Sequence, residues 1–314
     1  LKTSLIDPQS SLPADYARHR LTVGCVLCLL AAIFITGCSQ HPKREAIALA
    51  AGADAHTGYI TGTTFSHLLV TRIPDGDVEQ LSVYLGGDGR AFIRPAQVSL
   101  DPTPRHHLGL NLMLADPGPA AYIGRPCYYS AAGSTPCEPS LWTTSRYSRE
   151  VRDSIAAVVA DLAGQHPEAA IRLIGFSGGG TLAMLVAAVS PAVVEVVTLA
   201  APLDTQRWTE LHGYSPLTGS LNPADQHHWR PGLRQSHYFG EHDKNVPAAL
   251  ASGYIRRLQA AGLPVTSHTV SGFDHSCCWL QAWPALAELK KLPQDQQGGD
   301  EQHRPGRPFQ GSTP

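Results

Sequence analysis

Ile171-Arg172-Leu173-Ile174-Gly175-Phe176-Ser177-Gly178-Gly179-Gly180-Thr181-Leu182-Ala183-Met184-Leu185-Val186 is the stretch on which the reading of this chain turns. Residues 171–176 form a short, mostly apolar run of strand length, the pattern of a strand covered on both faces. Glycines end the run, and residues 179–189 continue with the length and apolarity of a buried helix. Gly175-Phe176-Ser177-Gly178-Gly179 at the junction is a G-x-S-x-G pattern in strand–turn–helix context. A serine on so sharp a turn sits in a strained backbone, and side chains beside it would collide with strand and helix. The turn lifts the hydroxyl out at the carboxyl end of a sheet, and the helix behind it aims N–H groups at any developing anion. Its bland counterpart is a glycine turn with no chemistry, so the assignment depends on what else the chain carries.

Outward from this stretch, the segments 66–73, 81–85, 110–114, 193–199, 235–239 and 265–270 read as further strands, the more apolar of them rich in β-branched residues. Helical patterns separate the later ones. Residues 148–162 place Val151, Ile155, Val158, Val159 and Leu162 on one face, 247–261 has proline in its first turn, and 279–289 closes the series. Strand and helix in alternation predict an α/β fold, a mostly parallel sheet flanked by helices on both faces.

Two loops supply partners for Ser177. After the 235–239 strand comes Gly240-Glu241-His242-Asp243-Lys244-Asn245, and after the last strand Ser271-Gly272-Phe273-Asp274-His275. The order Ser177, Asp243, His275 is that of a nucleophile, an acid and a general base at strand carboxyl ends. Asp243 read blandly is a helix cap, and Asp204, past the 193–199 strand, is its rival as the acid. Residues 81–85 run into Gly86-Gly87-Asp88-Gly89, a glycine-rich turn where a second oxyanion donor belongs. Backbone N–H groups of Gly87 or Asp88, together with Gly178, are the candidate oxyanion hole. Neither glycine cluster is followed by Lys-Ser or Lys-Thr, which argues against phosphate binding.

Together these residues resemble the α/β-hydrolase superfamily over about residues 66–292. More narrowly, Tyr84-Leu85-Gly86-Gly87-Asp88-Gly89-Arg90, Asp101-Pro102-Thr103-Pro104, Gly124-Arg125-Pro126-Cys127 and His275-Ser276-Cys277-Cys278-Trp279 resemble a poorly characterised group of bacterial α/β-hydrolase lipoproteins. The resemblance implies the α/β-hydrolase fold and acyl transfer to a small-molecule ester substrate. In that scheme Ser177 attacks a carbonyl, His275 shuttles the proton and Asp243 orients it. Gly86 and Asp88 stand where many lipases have the first and third residues of His-Gly-Gly-Gly. Peptidase or thioesterase chemistry uses the same three side chains, and a non-catalytic envelope lipoprotein that binds a ligand is the reading from a different class.

Arg18-His19-Arg20 precedes an apolar run at 21–35 that ends Ile35-Thr36-Gly37-Cys38-Ser39. Basic residues, a short apolar segment and small residues have the anatomy of an export signal. The ending resembles a bacterial lipobox with Cys38 as the lipidated residue, although a membrane-spanning anchor is the alternative. The expected domains are an upstream extension and signal over 1–38, a tether over 39–58, the hydrolase domain over 59–292 and a disordered tail over 293–314. The expected location is the bacterial cell envelope, with the membrane reached through the N-terminal lipid.

Of 7 cysteines, Cys127, Cys137, Cys277 and Cys278 fall within the expected domain, in a compartment where disulfides persist. A Cys127–Cys137 bond would close a short loop. For the adjacent Cys277 and Cys278 the expectation is free thiols or cross-pairing with that loop, because a bond between neighbours strains the intervening peptide. A net charge of −2 over 314 residues argues against a nucleic-acid partner. No His-Glu-x-x-His or Cys-x-x-Cys occurs in the expected domain, so neither metal nor cofactor is expected. The segments 116–142 and 201–234, rich in Tyr and Trp, are expected over the site, and neither has the pattern of a long amphipathic lid helix.

Overall fold

The computed structural model of the chain describes residues 41–129 and 137–288. Ten strands and seven α-helices are described, in the order α1 (Pro42–Gly52), β1 (His56–Thr61), β2 (Ser66–Arg72), β3 (Gln80–Leu85), β4 (Phe92–Arg94), β5 (Gln97–Val98), α2 (Leu108–Ala115), β6 (Ala120–Ile123), α3 (Arg149–Gln165), β7 (Ala170–Phe176), α4 (Gly178–Ala187), β8 (Val193–Leu199), α5 (Thr205–His212), β9 (Arg234–Gly240), α6 (Ser252–Ala260), β10 (Val265–Val270) and α7 (Trp279–Glu288).

Eight of the strands form one sheet in the order β1-β2-β6-β3-β7-β8-β9-β10. From β6 to β10 every neighbouring pair is parallel, whereas β2 runs against both β1 and β6. Alternate residues of the central strands feed two separate cores. Leu81, Val83, Leu85 and Leu173 pack with α3, α4 and α6 on one face. Tyr84, Ile174, Val197 and Leu199 pack with α1, α2 and α7 on the other. This is the two-faced burial that parallel strands require. Their parallel direction puts the carboxyl ends of β3, β7, β9 and β10 at one end of the sheet, where the candidate site lies.

Three expectations change. Residues 110–114, read as a strand, lie within helix α2, and the strand of that region is β6, read instead as part of a loop. Four apolar residues around Asn111 do not distinguish a buried strand from a buried helix, and Leu110, Leu112 and Met113 are all buried. The expected tether of 39–58 contains α1 and the start of β1. Ala46 and Ala50 of α1 are completely buried, and β1 is held by backbone pairing with β2 although its own side chains are mostly exposed. The apolar run 21–35, Cys38 and the tail 293–314 lie outside the described residues. Among the described residues no helix is long and apolar enough to cross a membrane.

Candidate active site

Ser177 stands between β7 and α4 with φ 52° and ψ −128°, a left-handed conformation that a residue with a Cβ rarely adopts. Its N–H donates to the Leu199 carbonyl of β8 at 2.8 Å, which locks the turn to the neighbouring strand. The glycines do what the sequence assigns them. A Cβ on Gly175 would run into the backbone of Gly179 and Gly180, and one on Gly180 would lie 2.9 Å from the Gly175 carbonyl. Strand and helix therefore meet more closely than any side chain permits.

The loops after β9 and β10 bring the partners in. His275 Nε2 is 3.1 Å from Ser177 Oγ, and His275 Nδ1 is 2.9 Å from Asp243 Oδ2. The Asp243 side chain is fully buried, and its other oxygen accepts the N–H groups of Asn245 and Val246, each at 2.8 Å. Three contacts set the imidazole. Its ring leans on Phe176 with centroids 5.2 Å apart, Trp279 Nε1 donates to the His275 carbonyl at 3.1 Å, and Asp274 Oδ1 accepts the N–H groups of Ser276 and Cys277. Helix α7, which carries Trp279, is tied to the sheet by Trp283 Nε1 donating to Tyr84 Oη at 2.8 Å. Asp204, the rival acid, caps α5 by accepting the Arg207 N–H at 3.1 Å.

The turn after β3 lies against the elbow. A Cβ on Gly87 would be 3.2 Å from the Phe176 carbonyl, and the nearest atoms to a Cβ on Gly178 would be the Asp88 carboxylate and, at 2.6 Å, Tyr147 Oη. Asp88 is enclosed by donors. Arg125 Nη1 donates to Oδ1, while Oδ2 accepts from Arg146 Nη1 at 3.1 Å and Tyr147 Oη at 2.7 Å. Burial alone would raise the Asp88 pKa, but the two guanidinium groups and the tyrosine hydroxyl hold it below the usual carboxylate range. Burial, and next the Asp88 charge, push the Tyr147 hydroxyl far above its ordinary value, so it stays a donor. Sequence reasoning gave Arg125, Arg146 and Tyr147 no role. A buried arginine 37 residues from its carboxylate leaves no local pattern.

Aromatics expected over the site belong largely to the core. Tyr122 lies in β6, and Tyr122, Tyr128, Tyr129 and Trp142 are all buried. In the second segment Trp208 is buried and Tyr214 exposed. The structure joins Cys127 to Cys137 across a Cα separation of 5.6 Å. It also joins Cys277 to Cys278, a pairing whose state the sequence left open, with free thiols or cross-pairing as the default. A second Ser–His contact, His67 Nε2 to Ser154 Oγ at 2.8 Å, is completely buried, and the other His67 nitrogen meets the Gly124 carbonyl. No substrate can reach that pair. Cavities of about 350 and 320 Å³ lie at the opposite end of the sheet, around Arg72 and around Arg172. Among the described residues no cluster of three or more His, Cys, Asp or Glu is placed to hold a metal.

No protein-family model matches the chain, and no curated protein matches it in sequence. Solved structures do match in shape. An esterase from Pyrobaculum calidifontis superposes with a TM-score of 0.51 at 14% identity, covering 79% of this chain and 89% of the esterase. A protein of unknown function from Agrobacterium tumefaciens, provisionally assigned to the α/β hydrolases, gives 0.52 at 11%, covering 75% and 95%. An acylaminoacyl peptidase from Pyrococcus horikoshii gives 0.51 at 11%, covering 76% of this chain and 41% of the peptidase. The chain has the α/β-hydrolase fold, and such identities speak to fold alone.

Proposed function

We propose that the chain is a serine hydrolase that cleaves carboxylic esters of small or medium acyl groups through an acyl-enzyme. The observation that carries the proposal is the contact line Ser177 Oγ, His275 and Asp243, at 3.1 and 2.9 Å, on a strained turn at the carboxyl end of the sheet. Ser177 Oγ bonds to the ester carbonyl carbon as its proton passes to His275 Nε2. The tetrahedral oxyanion takes hydrogen bonds from the Gly178 N–H and from that of Asp88 or Gly87. When the intermediate collapses, the C–O bond to the alcohol breaks and His275 gives its proton to the departing oxygen. Water, deprotonated by His275, then releases the acid and restores the Ser177 hydroxyl. Asp243 holds the proton on Nδ1 throughout and stabilises the imidazolium.

A fluorophosphonate probe tests this. Labelling of the wild type, absent in Ser177→Ala, is the expected result, and labelling unchanged in the variant would place the nucleophile elsewhere. A panel of p-nitrophenyl esters, thioesters and acyl-peptides then separates esterase from thioesterase and peptidase. For location, the segment 18–39 supports envelope attachment through lipid on Cys38. Cys38→Ala is expected to abolish the acyl mass and leave the protein unprocessed or released. A mature amino terminus elsewhere, without an acyl mass, would refute the anchor.

A further inference from the structure

We infer that the Asp88 carboxylate is a positioning residue for the oxyanion hole, clamped by Arg125, Arg146 and Tyr147 so that the turn after β3 is held against Gly178. The inference rests on the serine-hydrolase reading and concerns a side chain, whereas the oxyanion donors themselves are backbone N–H groups.

The clamp draws on two separate parts of the chain, the turn after β6 with Arg125 and Tyr128 and the segment before α3 with Arg146 and Tyr147. Arg125 follows β6, and its second terminal nitrogen donates to the Arg146 carbonyl, so the two arginines are bound to each other as well as to Asp88. Arg146 and Tyr147 precede α3, and Arg146 Nε donates to the Thr143 carbonyl at 2.7 Å. Tyr128, beside the disulfide-bonded Cys127, donates from Oη to the Asp88 carbonyl at 2.8 Å, which fixes the backbone of that residue as well as its side chain. The Arg125 guanidinium lies over the rings of Tyr128 and Tyr147, 5.4 and 5.3 Å from their centroids.

Its place separates the clamp from general core packing. The atoms nearest to a side chain on Gly178 would be Asp88 Oδ1 and Tyr147 Oη, so the clamp presses directly on the residue after the nucleophile. Two guanidinium groups face one carboxylate there, leaving a positive excess beside the N-terminus of α4, where an oxyanion would form. In the glycine turn Gly86-Gly87-Asp88-Gly89 only the ends are pinned by backbone hydrogen bonds, from Gly86 N–H to the Ile123 carbonyl and from Arg90 N–H to the Pro102 carbonyl, and three glycines leave the rest conformationally permissive. The carboxylate supplies stiffness by anchoring the turn from outside.

The experiment uses the full chain and compares wild type with Asp88→Asn and Tyr147→Phe. Its readouts are kcat and KM for p-nitrophenyl butyrate, and the affinity of phenylboronic acid, which forms a tetrahedral adduct on serine. Displacement of an oxyanion donor by about 1 Å costs on the order of 100-fold in rate. Asp88→Asn is therefore expected to lower kcat and boronate affinity together by roughly that factor, with KM within two-fold of wild type. Tyr147→Phe, which removes one hydroxyl and no charge, is expected to lower both by about 3- to 10-fold. If Asp88→Asn does not fold, Tyr147→Phe decides alone. Folded variants that keep wild-type kcat and boronate affinity overturn the inference, as does an effect confined to KM. Failure of the wild type to label with fluorophosphonate at Ser177 overturns the hydrolase reading and this inference with it. Normal labelling beside unaffected variants overturns only the inference.

Discussion

Replacing Asp243 by asparagine changes one atom, and the structure dictates what that atom does. Asp243 Oδ1 accepts the Asn245 and Val246 N–H groups at 2.8 Å each, while Oδ2 faces His275 Nδ1 at 2.9 Å. An asparagine must keep its oxygen toward the two backbone donors, so its NH₂ is turned to the imidazole. Nδ1 then accepts, the ring proton moves to Nε2, and Nε2 faces Ser177 Oγ as a donor that cannot take the serine proton. Flipping the amide would leave the buried Val246 N–H and the part-buried Asn245 N–H without an acceptor, at about 1–3 kcal/mol each. At 1.36 kcal/mol per tenfold, the competent tautomer is suppressed by roughly 10²–10⁴. Loss of the charge that stabilises the imidazolium adds to this, and the total expected fall in kcat is about 10⁴. The substitution keeps the shape of a fully buried side chain, so the fold should survive. The assay is steady-state hydrolysis of p-nitrophenyl butyrate, with thermal denaturation as the control for folding. A folded Asp243→Asn with kcat reduced less than tenfold would refute the reasoning. So would a larger loss in Asp204→Asn, whose carboxylate caps α5 and accepts from Asn222 Nδ2.

Gly175→Ala is expected to cost about 1–3 kcal/mol, because its Cβ meets the Gly179 and Gly180 backbone rather than movable side chains. Differential scanning calorimetry should show Tm lower by roughly 2–12 °C, and a Tm equal to wild type would contradict the elbow packing. Burial lowers the His67 pKa below 6.5, more than its Gly124 bond raises it, and burial lowers that of His107 as well. Between the folded value and about 6.5 the unfolded chain binds more protons, so stability is complete above about pH 6.5 and declines as pH falls from there. Urea unfolding at pH 7.5 and 5.5 measures this, and His67→Gln should lessen the difference; an unchanged difference would exonerate His67. Cys137→Ser opens a loop of sequence separation 10 and should lower stability by about 2–3 kcal/mol through loop-closure entropy, read as a fall in urea midpoint, and a midpoint equal to wild type would contradict the bond.

The primary structure determined the features that rest on neighbours along the chain. Residues 171–189 had to be strand, tight turn and helix, because only glycines let β7 and α4 meet so closely around Ser177. Strand alternation with helices implied the parallel sheet, and that topology sends the loops after β9 and β10 to the same edge, which is why Asp243 and His275 were legible as partners. Elements whose conformation comes from contact with distant residues were not legible. Residues 110–114 are helix packed against the sheet while β6 pairs with β2 and β3, and 56–61 are strand paired with β2. The clamp on Asp88 is the clearest case. Its donors lie 37, 58 and 59 residues along the chain, and no spacing, period or propensity relates them. Only folding brings two arginines and a tyrosine around one carboxylate, because a buried charge is tolerable only where the tertiary structure delivers its partners.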